Sequence, residues 1–420
     1  MFKLLSNLPK DENDLLNFSL DELAKIGAKK ILIQALNLEV EQYIDESQNW
    51  KDDNGRRLVV RNGKGKKRTI TTGSGAMNIE APRVNDKRPG IKFDSAILPR
   101  YLRKSANIQS VVPILYLKGL SGNAFKEALE VLLGKNGVKG LSPASISTMK
   151  KTWTGEMIKW NKEKITDEFV YLWCDGVNVS VRLGEDKRIC LLVVMGVNQK
   201  GEKKLLAVRS GFKESEMGWK EVFSSLIERG LNSPYLVIGD GGLGLWAAIK
   251  GMEHFKNTQE QRCWFHKTLN VLDKLPKRVH SQAKDLLNEI KNAPTKGDAG
   301  TALKIFKDVF EPKYPKAFEC IDKDWKKLIS FYNFPALHWR SIRTSNPIES
   351  AFATVKLRTK VTKGAGSPIM AETMAFKLLL ESEKRWRPIR GKKEVENLLQ
   401  GALYIDGELD IKGSDQQVVA

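Results

Sequence analysis

The spacing of apolar positions changes several times along the chain, and those changes divide it. Between residues 15 and 48, Leu15, Phe18, Leu20, Leu23, Ile26, Leu32, Leu36 and Tyr43 recur at a broken helical spacing. Such a segment packs on a neighbour or on a second chain. Residues 108–117 keep the helical spacing around Pro113. The turn Gly119-Leu120-Ser121 leads to a second helix over 124–133, and Ser142-Pro143 opens a third over 144–150. A connecting helix is expected over 153–165. The pattern then turns to β. Residues 169–182, 188–197 and 204–210 are runs of β-formers joined by short turns, which predicts an antiparallel meander. An amphipathic helix over 217–229 leads to a short apolar strand at 235–239, reached by a crossover and so expected parallel. A helix over 243–252 and a fifth strand at 261–266, running into a helix, complete the order β-β-β-α-β-α-β. Residues 268–275, 279–292, 300–310 and 314–331 all read as helices. Two further helices, one from Asn346 and one over 370–386, close the pattern, and 405–420 is polar and expected mobile.

Two of these strands carry a carboxylate. Asp175 lies mid-strand, where alternation puts Trp173, Asp175 and Val177 on one face. A carboxylate on a half-buried face needs a partner or a cation. Asp240 ends the 235–239 strand and is followed by Gly241-Gly242; a plain turn aspartate is the other reading. Two such acids suggest one shared divalent cation. The candidate third acid is Glu349, with Asn346 placed to cap its helix and Pro347 in the first helical position; an ordinary capping arrangement also fits. This order of elements and acids describes a ribonuclease H-like α/β core with a mixed five-stranded sheet, a fold that supports two-metal phosphoryl transfer. The stretch between Asp240 and Glu349 exceeds what a minimal core needs, so 267–341 reads as an all-helical insertion.

Charge narrows the partners. Seventy Lys+Arg against 50 Asp+Glu give a net charge of +20, which favours nucleic acid ahead of an anionic membrane. No apolar run approaches the ~20 residues of a membrane span. Four scattered cysteines fit a reducing cytosol rather than a disulfide framework. Arg61, Lys64, Lys66, Lys67 and Arg68 sit among glycines and asparagines, either as a β-ribbon gripping phosphates or as a solvated loop. The helices up to residue 151 resemble a helix-turn-helix, with Ser145, Ser147, Lys150 and Lys151 facing outward; a plain three-helix packing unit stays open. Lys356, Lys360 and Lys363, with Arg358, form a basic stripe beyond Glu349 that suits DNA phosphates or water. Trp339, Arg340 and Arg343 are placed to stack on or clamp DNA, although Trp339 also reads as a core residue. Cys263-x-x-His266 lacks a second close pair among Cys320, His254, His280 and His338, which argues against zinc and leaves a buried Cys with a satisfied His.

Four motifs, in order, resemble the mutator-type family of bacterial insertion-sequence transposases, a branch of the DDE transposases. They are Trp173-Cys174-Asp175-Gly176-Val177-Asn178-Val179, Ile238-Gly239-Asp240-Gly241-Gly242-Leu243, Gln261-Arg262-Cys263-Trp264-Phe265-His266 and Arg343-Thr344-Ser345-Asn346-Pro347-Ile348-Glu349. The likeness covers residues 50 to 390; the basic 62–68 region and the tail past Asn397 depart from it. It implies that Asp175, Asp240 and Glu349 hold two Mg²⁺ ions about 3.5–4 Å apart, with Mn²⁺ able to substitute. It implies further that Cys263 and His266 lie beside the catalytic site, His266 contacting the scissile region. The implied activity is cleavage at terminal inverted repeats of double-stranded DNA and transfer of the 3′-hydroxyl, through a circular intermediate, by a cytoplasmic, nucleoid-associated homodimer. A nuclease that cuts without joining, and a non-catalytic DNA-binding protein on the same fold, are the alternatives. The expected organisation is an N-terminal helical segment for dimerisation or DNA contact (1–50), a basic β-rich segment (51–100) and a helix-turn-helix-like region (101–160). The two parts of the core (166–266 and 342–395) flank the helical insertion (267–341), and a mobile tail follows (396–420).

Overall fold

A computed structural model describes residues 18–117, 127, 130, 131, 143–182, 188–211 and 213–410. It divides into two compact units, residues 1–149 and 150–420.

In the first unit, helix α1 (Leu20–Glu46) starts on a reciprocal cap. The Ser19 hydroxyl accepts the Glu22 N–H at 3.3 Å, and the Glu22 carboxylate accepts the Ser19 N–H at 2.8 Å. Leu32, Ile33 and Leu36 of this helix pack on Ile70, Met77, Ile79 and Leu98. Helix α1, from the expected 1–50 segment, and residues 70–98, from the expected 51–100 segment, therefore share one core. The unit holds two antiparallel pairs, β1 (Val59–Lys64) with β4 (Pro82–Asp86) and β2 (Arg68–Thr72) with β3 (Gly75–Ile79), the second of which contributes to that core. Strand β1 escaped the sequence reading because only Val59 of its six residues is buried. Helix α2 (Ala106–Leu117) runs through Pro113. The predicted turns at 119–121 and 140–142, and nearly all of the predicted helix 124–133, lie outside the described residues. Helix α3 (Pro143–Trp160) replaces two predicted helices with one. Trp153 and Met157 are both buried, four residues apart, so the helical period runs straight through the expected break.

The second unit holds a mixed five-stranded sheet. Strands β5 (Phe169–Ser180), β6 (Arg188–Asn198) and β7 (Lys203–Gly211) form an antiparallel meander. Helix α4 (Glu216–Glu228) then crosses to β8 (Leu236–Gly239), and helix α5 (Leu243–Lys250) to β9 (Gln259–Arg262). Strand β8 is parallel to both β5 and β9, and the spatial order is β7-β6-β5-β8-β9. One face is covered by Trp219, Val222, Phe223 and Leu226 of α4 and Leu245, Trp246 and Ile249 of α5, packed on Leu172, Cys174, Leu192, Val194 and Val237. Each fully buried chain of this size contributes about 1.5–3 kcal/mol. Because side chains alternate along β5, Tyr171, Trp173 and Asp175 point the other way. There the Tyr171 hydroxyl meets His338 Nδ1 at 2.7 Å, and the Trp173 indole N–H donates to the Thr344 carbonyl at 3.2 Å.

Between β9 and the last motif the chain is helical: α6 (Trp264–Leu272), α7 (His280–Asn292), α8 (Lys296–Phe310), α9 (Pro315–Asp322), α10 (Trp325–Leu328) and α11 (Ala336–Ile342). Lys267 of α6 is fully buried and donates to the Cys320 carbonyl at 2.7 Å and to the Asp324 carboxylate. Asp324 also pairs with Arg262 at 2.9 Å, which ties this layer to the end of β9. Two long helices follow, α12 (Asn346–Val361) and α13 (Pro368–Glu383). On edge strand β7, the N–H groups of Leu205 and Ser210 are accepted at 2.7 Å by the carboxylates of Glu383 and Glu372 from α13. Those bonds blunt an otherwise open edge. The mobile tail expected over 396–420 does not hold as far as residue 410. Helix α14 (Lys392–Leu399) buries Val395 and Leu398, and the pair β10 (Tyr404–Ile405) and β11 (Glu408–Leu409) docks through Gly407, whose N–H donates to the Tyr332 carbonyl at 3.1 Å. No helix among the described residues is long and apolar enough to cross a membrane.

Candidate active site

The site forms where β8 ends beside the middle of β5 and α12 begins. Asp240 follows β8 directly, and its Oδ1 accepts the Gly242 N–H at 2.9 Å, a local turn that points the carboxylate outward from the sheet. Gly241 adopts φ +96°, and a Cβ there would lie 2.2 Å from the Arg262 guanidinium carbon, so only glycine fits between strand and arginine. Asp175 is 8% exposed, and its Oδ1 accepts the Gly176 N–H at 2.8 Å.

Glu349 reaches the same place from the first turn of α12. The residue at the cap position is Ser345, not Asn346, and Ser345 makes no side-chain bond to the helix backbone. Its hydroxyl donates to Glu349 Oε1 instead. Glu349 is thus four residues past the cap, where the reciprocal capping arrangement does not apply. Ser345 also fixes the neighbouring helix: its N–H and hydroxyl lie 3.2 Å and 3.1 Å from Cys263 Sγ. The Trp264 N–H donates to the Arg343 carbonyl at 3.0 Å, stitching the start of α6 to the approach to α12. His266 Nδ1 lies 3.4 Å from the Ser345 hydroxyl and 3.7 Å from Glu349 Oε1. Donor atoms of Cys263, His266 and Glu349 fall within 4.8 Å of one another, close enough to share an ion of mixed N/O/S preference. The sequence offered no second pair for Cys263 and His266; the fold supplies Glu349 as a third donor.

These groups share one electrostatic field. Burial pushes the Asp175 carboxyl up to about 7, helped by Asp240, Glu214 and Glu349 and opposed by the Gly176 N–H. Glu214 is also pushed up to about 7, by burial and then Asp240, against an opposing pull from His266. Burial raises the Cys263 thiol, but its bonds to His266 and Ser345 outweigh this and leave it below its ordinary value. His266 rises to about 9, first through its bond to Cys263 and then, against burial, through the charges of Cys263, Glu349 and Asp240. Cys190, on the neighbouring strand, is pushed up to about 12 by burial, Glu214, Asp175 and Asp240. The sequence reading missed Glu214. It lies between β7 and α4, where Glu214-Ser215-Glu216 looks like any acidic helix start, and Ser215 is indeed the cap.

The residues singled out for DNA lie in several places. In the first unit, Arg61, Lys64 and Lys67 line a cleft of about 260 Å³ together with Lys29, and Lys66 is exposed. Arg68 is committed elsewhere, donating to the carbonyls of Leu98 at 3.0 Å, Pro99 at 3.2 Å and Arg100. Ser147 and Lys151 are exposed on α3 and Lys150 is half-buried; the side chain of Ser145 lies outside the described residues. In the second unit, Trp339 packs edge-on against Phe331 and Tyr332 and donates to the Phe334 carbonyl at 2.8 Å, which is the core arrangement. Arg340 is exposed, and Arg343 donates to the Lys291 carbonyl at 3.0 Å. Lys356 and Lys360 are exposed on α12. Arg358 is not: it is 6% exposed on the face shared with Ile348, Phe352 and Val355. Lys363 is exposed but lies past the helix end at φ +51°, so the expected stripe shortens to two lysines.

A mixed sheet with carboxylates at its rim, a helix start contributing another acid, and an imidazole alongside defines an α/β protein with a site of hard oxygen donors suited to divalent cations. Comparison with known proteins makes the class specific. The profile described as "Transposase, Mutator family" matches residues 3–387. The chain is 44% identical over 303 residues to the transposase for insertion sequence element IS6120 of Mycolicibacterium smegmatis, covering 72% of this chain and 92% of that protein. It is 43% identical over 283 residues to the transposase for element IST2 of Acidithiobacillus ferrooxidans, covering 67% and 95%. It is 27% identical over 293 residues to the transposase for element IS905 of Lactococcus lactis, covering 70% and 72%. The chain belongs to the Mutator family of transposases.

Proposed function

We propose that this transposase cleaves DNA strands at the ends of its own element and joins the freed 3′-hydroxyls to new phosphodiesters, using Asp175, Asp240 and Glu349 as the ligands of two Mg²⁺ ions. The observation that carries the reading is the convergence of three acids from distant parts of the chain, with Asp240 and Glu349 both acting on Asp175. The residues fit the ions. The three acids offer only hard oxygen donors. When bound, the ions would supply activation of the attacking oxygen and stabilisation of the leaving one.

The protein's own part is to hold and orient. Backbone N–H groups of Gly176 and Gly242 fix the two aspartates. Ser345 fixes Glu349 and, through Cys263, the start of α6. His266, held protonated up to about pH 9, places a positive charge beside Glu349, where it can contact a phosphate oxygen of the scissile strand. Lys29, Arg61, Lys64 and Lys67 in the first unit, with the exposed residues of α3, are assigned to the terminal inverted repeats, and Arg340, Lys356 and Lys360 to phosphates near the site. Two ends must meet, so the working species is taken as a homodimer acting beside the nucleoid in the cytoplasm, through a circular intermediate.

The test uses pre-cut terminal DNA with Mg²⁺. Joined products are expected, and cleavage without joining would favour a nuclease. Asp240→Asn should abolish both reactions while DNA binding persists. Unchanged cleavage in that variant would remove the proposed site.

A further inference from the structure

The carboxylate of Glu214 occupies a slot between the two aspartates. A Cβ built on Gly176, the neighbour of Asp175, would lie 2.2 Å from Glu214 Oε1. A Cβ on Gly242, two residues past Asp240, would lie 3.0 Å from Glu214 Oε2 and 3.5 Å from Asp240 Oδ1. One oxygen therefore rests against the Asp175 side of the slot and the other against the Asp240 side. A side chain at 176 would collide with this carboxylate, and one at 242 would crowd it into a small shift. The backbone that carries it is equally constrained, since a Cβ on Gly244 would meet the Glu214 carbonyl oxygen at 2.2 Å. Three glycines on two chain segments thus make room for a single glutamate.

Among the described residues no lysine or arginine pairs with Glu214, and the positive charge that acts on it is that of His266. Among the described residues, the one donor found for its carboxylate is the Cys190 thiol, 4.0 Å away, at the outer limit for sulfur. A half-buried carboxylate beside two others, without a lysine or arginine, raises the free energy of the fold unless a cation joins it. A solvated position was open to this residue, because the next acid, Glu216, is exposed and pairs with Lys220 at 2.7 Å.

We propose that Glu214 is a fourth carboxylate ligand of the metal site, on the side shared by Asp175 and Asp240. This rests on the two-metal reading above. Added to the three acids, Glu214 would let the protein hold an ion before DNA arrives, with phosphate oxygens entering later rather than completing the first site.

The experiment is calorimetric titration of the DNA-free protein with Mn²⁺, with folding of each variant checked by circular dichroism. Glu214→Gln should weaken Mn²⁺ binding about tenfold or more, the range seen when groups supporting a metal site are removed. Glu214→Asp keeps the charge but withdraws it by one methylene, and should weaken binding as well. Gly176→Ala, which alters no acid, should do the same by filling the slot. Wild-type affinity in Glu214→Asp alongside weak binding in Glu214→Gln would reduce Glu214 to a distant charge and overturn its role as a ligand. Wild-type affinity in both, with binding lost in Asp240→Asn, would also overturn it and leave the three-acid site standing. Unchanged binding in Asp240→Asn as well would sink the two-metal reading itself.

Discussion

Replacing Asp175 by Asn should stabilise the metal-free protein while removing its chemistry. Burial, then Asp240, Glu214 and Glu349, moves the Asp175 carboxyl from an ordinary 3.8 to about 7. At 1.36 kcal/mol per pH unit, this sets about 4 kcal/mol against the charged form, an upper bound because the other acids share the same field. The direction follows from proton counting. Between pH 3.8 and about 7 the folded protein binds more protons here than the unfolded chain does. Stability from this group is therefore complete below 3.8, falls as pH rises, and is gone once pH passes about 7. Asn carries no such proton, yet its Oδ1 can keep the 2.8 Å bond from the Gly176 N–H. The variant should thus match the wild type near pH 4 and exceed it by about 2–4 kcal/mol at pH 8 in EDTA. For a unit of this size that corresponds to about 5–10 °C in melting temperature. Thermal melts at pH 5, 6, 7 and 8 should show the gap widening with pH. Added Mg²⁺ should stabilise the wild type and leave the variant unmoved. A variant that melts at or below the wild type at pH 8, or a gap independent of pH, would refute the reasoning.

Asp324→Ala strips the carboxylate from the fully buried Lys267 and from Arg262 together. It should lower unfolding free energy in urea by about 3–5 kcal/mol, and a loss under about 1 kcal/mol would contradict the network. Cys263→Ala removes the largest influence holding His266 near 9, so the imidazole should titrate closer to 6.5 when followed by NMR; a midpoint still near 9 would count against the pairing. Lys356→Ala and Lys360→Ala should each reduce the slope of log K against log salt for DNA binding by about 1. Arg358→Ala should leave that slope alone and lower the melting temperature, since this side chain lies inside the fold.

Much of the second unit was legible because its strands are long and apolar on both faces. Strands β5 and β6 bury seven or more consecutive residues, a pattern no amphipathic helix produces. Asp175 and Asp240 stood out because each interrupts or ends such a run. Glu349 also fitted an ordinary capping arrangement in the sequence, and the fold alters its setting: Ser345 sits at the cap and spends its hydroxyl on the glutamate. Glu214 was invisible, because its neighbours Ser215 and Glu216 are what any helix start carries, and only its carboxylate's place against Gly176 and Gly242 in the fold draws attention to it. Charge patterns misled where a cation turned out to be structural. Arg68 binds three carbonyls and Arg358 lies on the apolar face of α12, and sequence spacing does not distinguish such arginines from exposed ones. Strand β1 was hidden by its exposure, and the docked segment at 404–409 by its polar composition.

The most direct test of the account is anomalous diffraction from crystals soaked in Mn²⁺. Manganese density is expected bounded by Asp175, Asp240 and Glu349, and lost in Asp240→Asn crystals. Manganese bound only elsewhere, with these three carboxylates unliganded, would contradict it.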